Sequence, residues 1–126
     1  MANMAKTLTW IFGVVLTIVG ILGYLGGSPI LGIFEVDGLH NLIHLASGVV
    51  GILAALGGEK YAKMYLQVFG VIYAIVFLLG IFTGGKILGL ISSNTADDIL
   101  HLVIAVVLLY GGFGKMQSGS GAPATT

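Results

Sequence analysis

The segment VDGLHNLIHL, residues 36–45, places an acid, an amide and two histidines at the start of an otherwise apolar run. Asp37, His40 (or Asn41) and His44 are spaced i, i+3/i+4, i+7, so in a helix they share one face. Asp37 is a good N-cap, because its side-chain oxygen can accept amide protons of the first turn. The histidines lie deeper and need another explanation.

The segment NTADDILHL, residues 94–102, repeats this pattern. Asn94, Asp97 (or Asp98) and His101 have the same spacing, with Asn94 as the predicted N-cap and the two acids at the positive end of the helix dipole. His101 follows His44 by 57 residues. We therefore expect the two histidines to occupy equivalent positions on two helices.

Imidazoles on facing helices can bind a cofactor. His44 and His101 could be the two axial ligands of one non-covalent haem b or another tetrapyrrole, since the chain has no cysteine for covalent attachment. His40, His44, His101 and Asp98 could instead form a metal site. The default expectation is that no cofactor is bound. A third alternative is a small ion or proton pathway, because ionisable residues inside membranes often line one.

The alternative to a ligand site is interhelical hydrogen bonding, which holds helices together where hydrocarbon removes the hydrophobic driving force. Small residues support it, since they allow close helix packing. Ser47, Gly51 and Ala55 continue the face of His44, and Gly23 and Gly27 form a GxxxG pair.

The composition is that of an integral membrane protein. The 126 residues are 57% hydrophobic and 8% charged, with a mean hydropathy of +1.09. Soluble domains carry about 25% charged residues, so these few charges cannot cover a water-exposed surface. The five basic residues form no cluster, which argues against nucleic-acid binding. Motifs of soluble enzymes are absent, and we expect no catalytic residues.

Four apolar stretches approach the about 20 residues needed to cross a bilayer: residues 7–26, 37–57, 61–83 and 96–114. They predict an all-α, four-transmembrane-helix bundle. Lysines are concentrated at one end: Lys6, Lys60, Lys63 and Lys115. The positive-inside rule therefore predicts cytoplasmic N- and C-termini. Four aromatic residues are predicted to lie at that boundary: Trp10, Tyr61, Tyr65 and Tyr110.

An internal duplication explains the repeated pattern. At an offset of 57 residues, IFGVVLTIVGILG aligns without gaps on VFGVIYAIVFLLG, and GSPILGIF aligns on GGKILGLI. The prediction is one domain (1–114) of two tandem helical hairpins, about 7–58 and 61–114, related by a pseudo-twofold axis along the membrane normal. The apolar loop within each hairpin should lie at the interface or fold back on the bundle. Residues 115–126 predict a flexible tail.

The segments DGLHNLIHLASGVVGI and NTADDILHLVIAVVLL resemble an uncharacterised family of small four-helix bacterial inner-membrane proteins, classed as a domain of unknown function. Helices 2 and 4 of that family begin with Asn/Asp-x-x-His patterns. The resemblance implies importance for five residues: Asp37, His40, His44, Asn94 and His101. It also implies a multi-pass protein of the bacterial inner membrane. Asp97 stands where the first repeat has His40, so a symmetric four-histidine site is not expected.

These observations favour a non-enzymatic membrane protein that contacts the lipid bilayer. The first expectation is a structural or accessory subunit of a homo-oligomer or of an assembly with other membrane subunits. The first alternative is a haem-, pigment- or metal-binding protein that uses the histidines of helices 2 and 4, and the second is an ion or proton pathway.

Overall fold

The structure is a computed structural model that describes residues 4–26, 36–84, 86–87, 89 and 91–114. Four helices make up most of it: α1 (Met4–Gly26), α2 (Gly38–Gly57), α3 (Glu59–Thr83) and α4 (Thr95–Phe113). Two short strands, β1 (Lys86–Ile87) and β2 (Ile91–Ser92), lie between α3 and α4. Each helix is long and apolar enough to cross a membrane. The predicted four-helix transmembrane bundle is therefore confirmed.

Glycine fixes where α3 begins and ends. Gly58 alone joins α2 to α3 and has a φ of 115°, which favours a residue without a Cβ atom. Because this connection is so short, α3 begins at Glu59 rather than at residue 61 as predicted. At the other end, Gly84 adopts the left-handed conformation, with a φ of 65°, and its N–H donates to the carbonyl of Gly80 at 3.1 Å.

The connection between α3 and α4 folds back on the bundle. Strands β1 and β2 pair antiparallel, with Ile87 opposite Ile91. Ile87 is buried, and its Cδ1 atom faces Gly80 of α3. The sequence did not predict this hairpin as strands, because two residues are too few for a periodic signal. The equivalent loop at residues 27–35, with Gly27, and the predicted tail at residues 115–126 lie outside the described residues.

The helices pack as two hairpins. α1 packs mainly on α2, and α3 packs mainly on α4, while α3 also contacts both α1 and α2. α2 and α4 contact each other least among the helix pairs, so long side chains fill the space between them. The buried residues of the apolar core come from α1, α3 and α4: Ala5, Leu16, Ala62, Tyr65, Leu66, Tyr73, Ile104, Ala105 and Leu108.

Glycines allow the close approach of α1 and α2. A Cβ atom on Gly48 would overlap the backbone of Thr17 and would lie 2.7 Å from the carbonyl oxygen of Gly13. A Cβ atom on Gly13 would lie 2.8 Å from the amide nitrogen of Ile52. These two helices therefore touch backbone to backbone, as small residues permit in membranes.

The same kind of contact recurs 57 residues later. A Cβ atom on Gly70 of α3 would lie 3.0 Å from the amide nitrogen of Leu109 of α4. Gly70 and Leu109 are the offset equivalents of Gly13 and Ile52. In each hairpin, a glycine on the first helix thus allows the backbone of the second helix to come close, and the contacting residues of the two hairpins are 57 positions apart in the sequence.

Large apolar side chains cover the outside of the bundle, as expected of a surface in contact with lipid. Trp10, Tyr61 and Tyr110 are exposed, as side chains at a membrane boundary would be. Tyr65 differs from these three residues. Its side chain is buried in the core, because its hydroxyl group donates to the carbonyl of Ser47 at 2.8 Å across the α2–α3 contact.

Substitution of Gly48 by alanine should destabilise the bundle. The added methyl group would force α1 away from α2, and overpacking of this kind costs about 1–3 kcal/mol. The measurement is the free energy of unfolding in mixed detergent micelles, followed by circular dichroism. Gly38→Ala is the matched control on the same helix, because no described atom lies within 4 Å of its added Cβ atom. Equal stabilities of the two variants would contradict the close contact.

Candidate functional site

Three histidines meet in the core between α2 and α4. The ring centroid of His40 lies 4.4 Å from that of His44 and 5.5 Å from that of His101, and the centroids of His44 and His101 are 6.2 Å apart. Each of the three side chains offers one nitrogen atom within 4.8 Å of the nitrogens of the other two. All three are buried, with exposed fractions of 1–2%. We call this group the three-histidine centre.

The caps of α2 and α4 set the positions of these histidines. Asp37 is the N-cap of α2, and its Oδ1 atom accepts a hydrogen bond from the His40 amide at 2.8 Å. Asn94 is the N-cap of α4 and forms a capping box, in which Asn94 accepts from the Asp97 amide and Asp97 accepts from the Asn94 amide, each at 2.9 Å. The fixed helix starts place His101 two turns into α4.

The nitrogens of two histidines have no hydrogen-bond partner among the described residues. Nδ1 and Nε2 of His44 are both buried and lack such a partner, and the same is true of Nδ1 and Nε2 of His101. A neutral imidazole has one donor and one acceptor. An unsatisfied buried group costs about 1–3 kcal/mol, and no bulk water is present in hydrocarbon to reduce this cost. The three-histidine centre therefore has buried nitrogens that can hold a metal ion.

A tyrosine of α3 packs against the three-histidine centre. The ring centroid of Tyr73 lies 5.8 Å from that of His101. Its hydroxyl group donates to Oγ of Ser47 at 3.1 Å, and Tyr65 donates to the Ser47 carbonyl. Ser47 follows His44 by one helical turn. Tyr73 therefore links α3 to both helices that carry the histidines.

Asp98 does not join the three-histidine centre, contrary to the predicted metal-ligand set. Asp98 is one position beyond Asp97 on α4. This step turns the side chain of Asp98 about 100° around the helix, toward α3. Its Oδ1 atom accepts a hydrogen bond from Oγ of Ser93 at 3.3 Å and faces Gly80. Together with Gly84, these residues line a polar cavity of about 450 Å³ at the end of the bundle.

Asn41 occupies the equivalent position in the first hairpin. A Cβ atom on Gly23 of α1 would overlap its side-chain amide, just as one on Gly80 of α3 would overlap Asp98. Asn41 is buried, and its Oδ1 atom has no hydrogen-bond partner among the described residues. Gly23 thus makes room for a polar side chain.

The other predicted packing residues also lie in the bundle interior. Ser47, Gly51 and Ala55 are buried on the face of α2 that carries His44. A Cβ atom on Gly51 would lie 2.9 Å from Cζ of Tyr65, so this glycine accommodates the tyrosine ring.

Two features of the site are not predicted by the sequence patterns: the position of Tyr73 and the burial of Asp97. Tyr73 carries a hydroxyl group in the middle of an apolar span, and such a group needs a partner inside the protein. That requirement was the signal available in the sequence. Asp97 is 0% exposed. Its spacing predicts a place on the face of His101 and near the positive end of the helix dipole, but it does not predict complete burial.

The comparisons with known proteins identify a family without a known activity. No curated protein and no solved structure matches the chain. Residues 6–114 match the DUF4383 family, which is described as a domain of unknown function. The match covers all four helices except the first two residues of α1. The resemblance is confirmed at the level of the family, and the Asn/Asp-x-x-His patterns of its helices 2 and 4 stay a prediction. The chain belongs to the DUF4383 family.

Proposed function

We propose that this chain is a metal-binding integral membrane protein that holds one first-row transition-metal ion at the three-histidine centre. The observation that carries the proposal is the set of buried imidazole nitrogens of His44 and His101 without partners among the described residues. Neutral imidazole is a common ligand of zinc, copper, iron and nickel. A bound ion would satisfy one nitrogen of each ring.

The distances between the nitrogens support a single ion. A metal ion about 2.0–2.1 Å from three nitrogens requires those nitrogens to lie roughly 3.3–3.6 Å apart. In the structure they lie within 4.8 Å of one another. Each ring would therefore move toward the ion by at most roughly 0.7 Å, which small side-chain rotations can provide.

The same geometry argues against a tetrapyrrole. A haem between His44 and His101 would need a flat space around its iron atom for the macrocycle. The ring of His40 is 4.4 Å and 5.5 Å from the rings of these two histidines, and Tyr73 packs against His101. A third imidazole and a phenol ring therefore occupy the space that the macrocycle would need.

The second proposal is a structural or accessory role in a homo-oligomer or a larger membrane assembly. It is supported by an apolar groove of about 470 Å³ on the outside of the bundle between α2 and α3. Leu53, Gly57 and Met64 are among the residues that line it. A helix of a neighbouring subunit would fill this groove, and so would a lipid acyl chain.

We also infer that the two hairpins are copies of one another and that the protein lies in a bacterial inner membrane with both termini in the cytoplasm. The glycine contacts at an offset of 57 residues support the duplication. The distribution of lysines supports the orientation. The three-histidine centre would then lie in the half of the bundle that faces away from the cytoplasm.

Substitution of either His44 or His101 by glutamine should abolish metal binding. Glutamine keeps a polar side chain of similar size but lacks the imidazole nitrogen. The measurement is elemental analysis of protein purified in mild detergent after incubation with transition metals and gel filtration. Wild-type protein should retain one ion per chain.

Gln67→Ala is the matched control, because Gln67 is a polar residue that bonds to the Gly112 carbonyl away from the histidines. This variant should retain the metal. Wild-type protein that stays metal-free would contradict the proposal. A Soret band in its absorption spectrum would show that the protein binds a tetrapyrrole instead of a single metal ion.

The orientation can be tested with single cysteines, because the natural chain has none. Lys60→Cys and Thr95→Cys each place a thiol at an exposed position, at opposite ends of the bundle. In intact cells, a membrane-impermeant maleimide should label the Thr95→Cys protein and should leave the Lys60→Cys protein unlabelled until the cells are lysed. The reverse pattern would place the termini outside.

The assembly role predicts an oligomer. Native mass spectrometry of the protein released from detergent should show a defined species larger than the monomer. Leu53→Ala and Val103→Ala provide a matched pair, because both residues are exposed but only Leu53 lines the α2–α3 groove. Loss of the oligomer in the Leu53 variant alone would support the groove as its interface, whereas a monomeric wild type would remove the second proposal.

A further inference from the structure

We propose that the ion held by the three-histidine centre is monovalent copper, Cu(I). This inference rests on the proposed metal-binding function and specifies it. It combines two independent properties of the site: the number of ligands that the protein offers, and the charge that the surrounding core can balance.

The protein offers three ligands. Of the described histidine and acidic residues, only His40, His44 and His101 bring their ligand atoms together. Zinc in structural sites is almost always four-coordinate, and copper(II) prefers a tetragonal arrangement with at least four ligands. Copper(I) has a filled d shell and is stable with three imidazole nitrogens in a trigonal plane. The three-histidine centre therefore matches the coordination number of copper(I) without a further ligand.

The centre is also shielded from bulk water. The exposed fractions of the three histidines are 2%, 1% and 1%, and Val36 and Ile87 are buried at the same end of the bundle. A zinc ion with three protein ligands usually keeps a water molecule as the fourth. Such a water would have to be enclosed among three imidazole rings whose centroids are 4.4–6.2 Å apart.

The charge of the core selects a monovalent ion. Asp97 is 0% exposed and lies one helical turn before His101 on the same face of α4. It is the only fully buried carboxylate among the described acidic residues. Three neutral imidazoles add no charge. Counting only the fully buried groups that the structure describes, a divalent ion and Asp97 would therefore leave one positive charge uncompensated, whereas copper(I) and Asp97 together are neutral. Uncompensated charge in the membrane core is costly.

Other monovalent cations fit less well. Sodium and potassium are hard ions, which prefer oxygen ligands to imidazole nitrogen.

The test compares copper(I) and zinc(II) on the full-length protein in detergent. Copper(I) is supplied without oxygen and with excess ascorbate, and its affinity is measured by competition with bicinchoninate. Zinc(II) affinity is measured by competition with a fluorescent chelator. We expect copper(I) to bind at least about a hundredfold more tightly than zinc(II). X-ray absorption at the copper edge should show three nitrogen neighbours at about 2.0 Å.

Asp97→Asn tests the charge argument separately. Asparagine keeps an oxygen that can accept the capping hydrogen bond from Asn94, so the start of α4 should be preserved. The loss of the negative charge should weaken copper(I) binding by about 10- to 100-fold, as the loss of outer-shell partners typically does. Asp98→Asn is the matched control, because Asp98 faces Gly80 and Ser93 instead of the centre. Circular dichroism verifies that both variants keep their helix content.

Each outcome has a distinct meaning. Tight copper(I) binding with three nitrogen ligands, weakened in Asp97→Asn but not in Asp98→Asn, supports the inference. Equal or tighter zinc binding, or a fourth ligand on copper, overturns the inference and leaves the proposed metal-binding function intact. Equal losses of copper(I) affinity in Asp97→Asn and Asp98→Asn overturn the charge argument and, with it, the inference that the site selects a monovalent ion. A wild-type protein that binds neither ion overturns the proposed function as well.

Discussion

Inside hydrocarbon, a polar group has only the protein as a partner, and this constraint organises the whole bundle. It requires the backbone to form helices, and it places the polar side chains of the spans between those helices. Tyr73 and Tyr65 of α3 both reach Ser47 of α2 for this reason. The histidines follow the same rule in their position, but the nitrogens of His44 and His101 lack partners in the described part of the chain. These unpartnered nitrogens are the reason that the proposed function is assigned to the three-histidine centre.

Close packing and open space alternate around this core. Glycines bring α1 against α2 and α3 against α4 within each hairpin, so those helices touch backbone to backbone. The pair α2 and α4 is different, because these helices make the fewest backbone contacts. Imidazole rings fill the gap between them. The tight packing of the other pairs therefore holds the three histidines in place.

The sequence was sufficient to predict the four helices, because each is a long apolar run with a capping residue or glycine near its ends. It also placed His40, His44 and His101 on facing helices by their spacing. The sequence did not distinguish Asp97 from Asp98. Adjacent side chains in the first turn of a helix point to different neighbours, and only the packing decides which of the two is buried. The role of Tyr73 was likewise hidden, because its partner is distant in the chain.

The two hairpins share one chain, and this permits a centre that two identical hairpins could not build. Position 40 in the first hairpin is histidine, and its equivalent, position 97, is aspartate. A symmetric dimer of a single hairpin would carry the same residue at both places, with either four imidazoles or two imidazoles and two acids. In a joined chain, position 40 can be histidine while its counterpart, position 97, is aspartate. An odd number of buried histidines thus depends on the covalent link at Gly58.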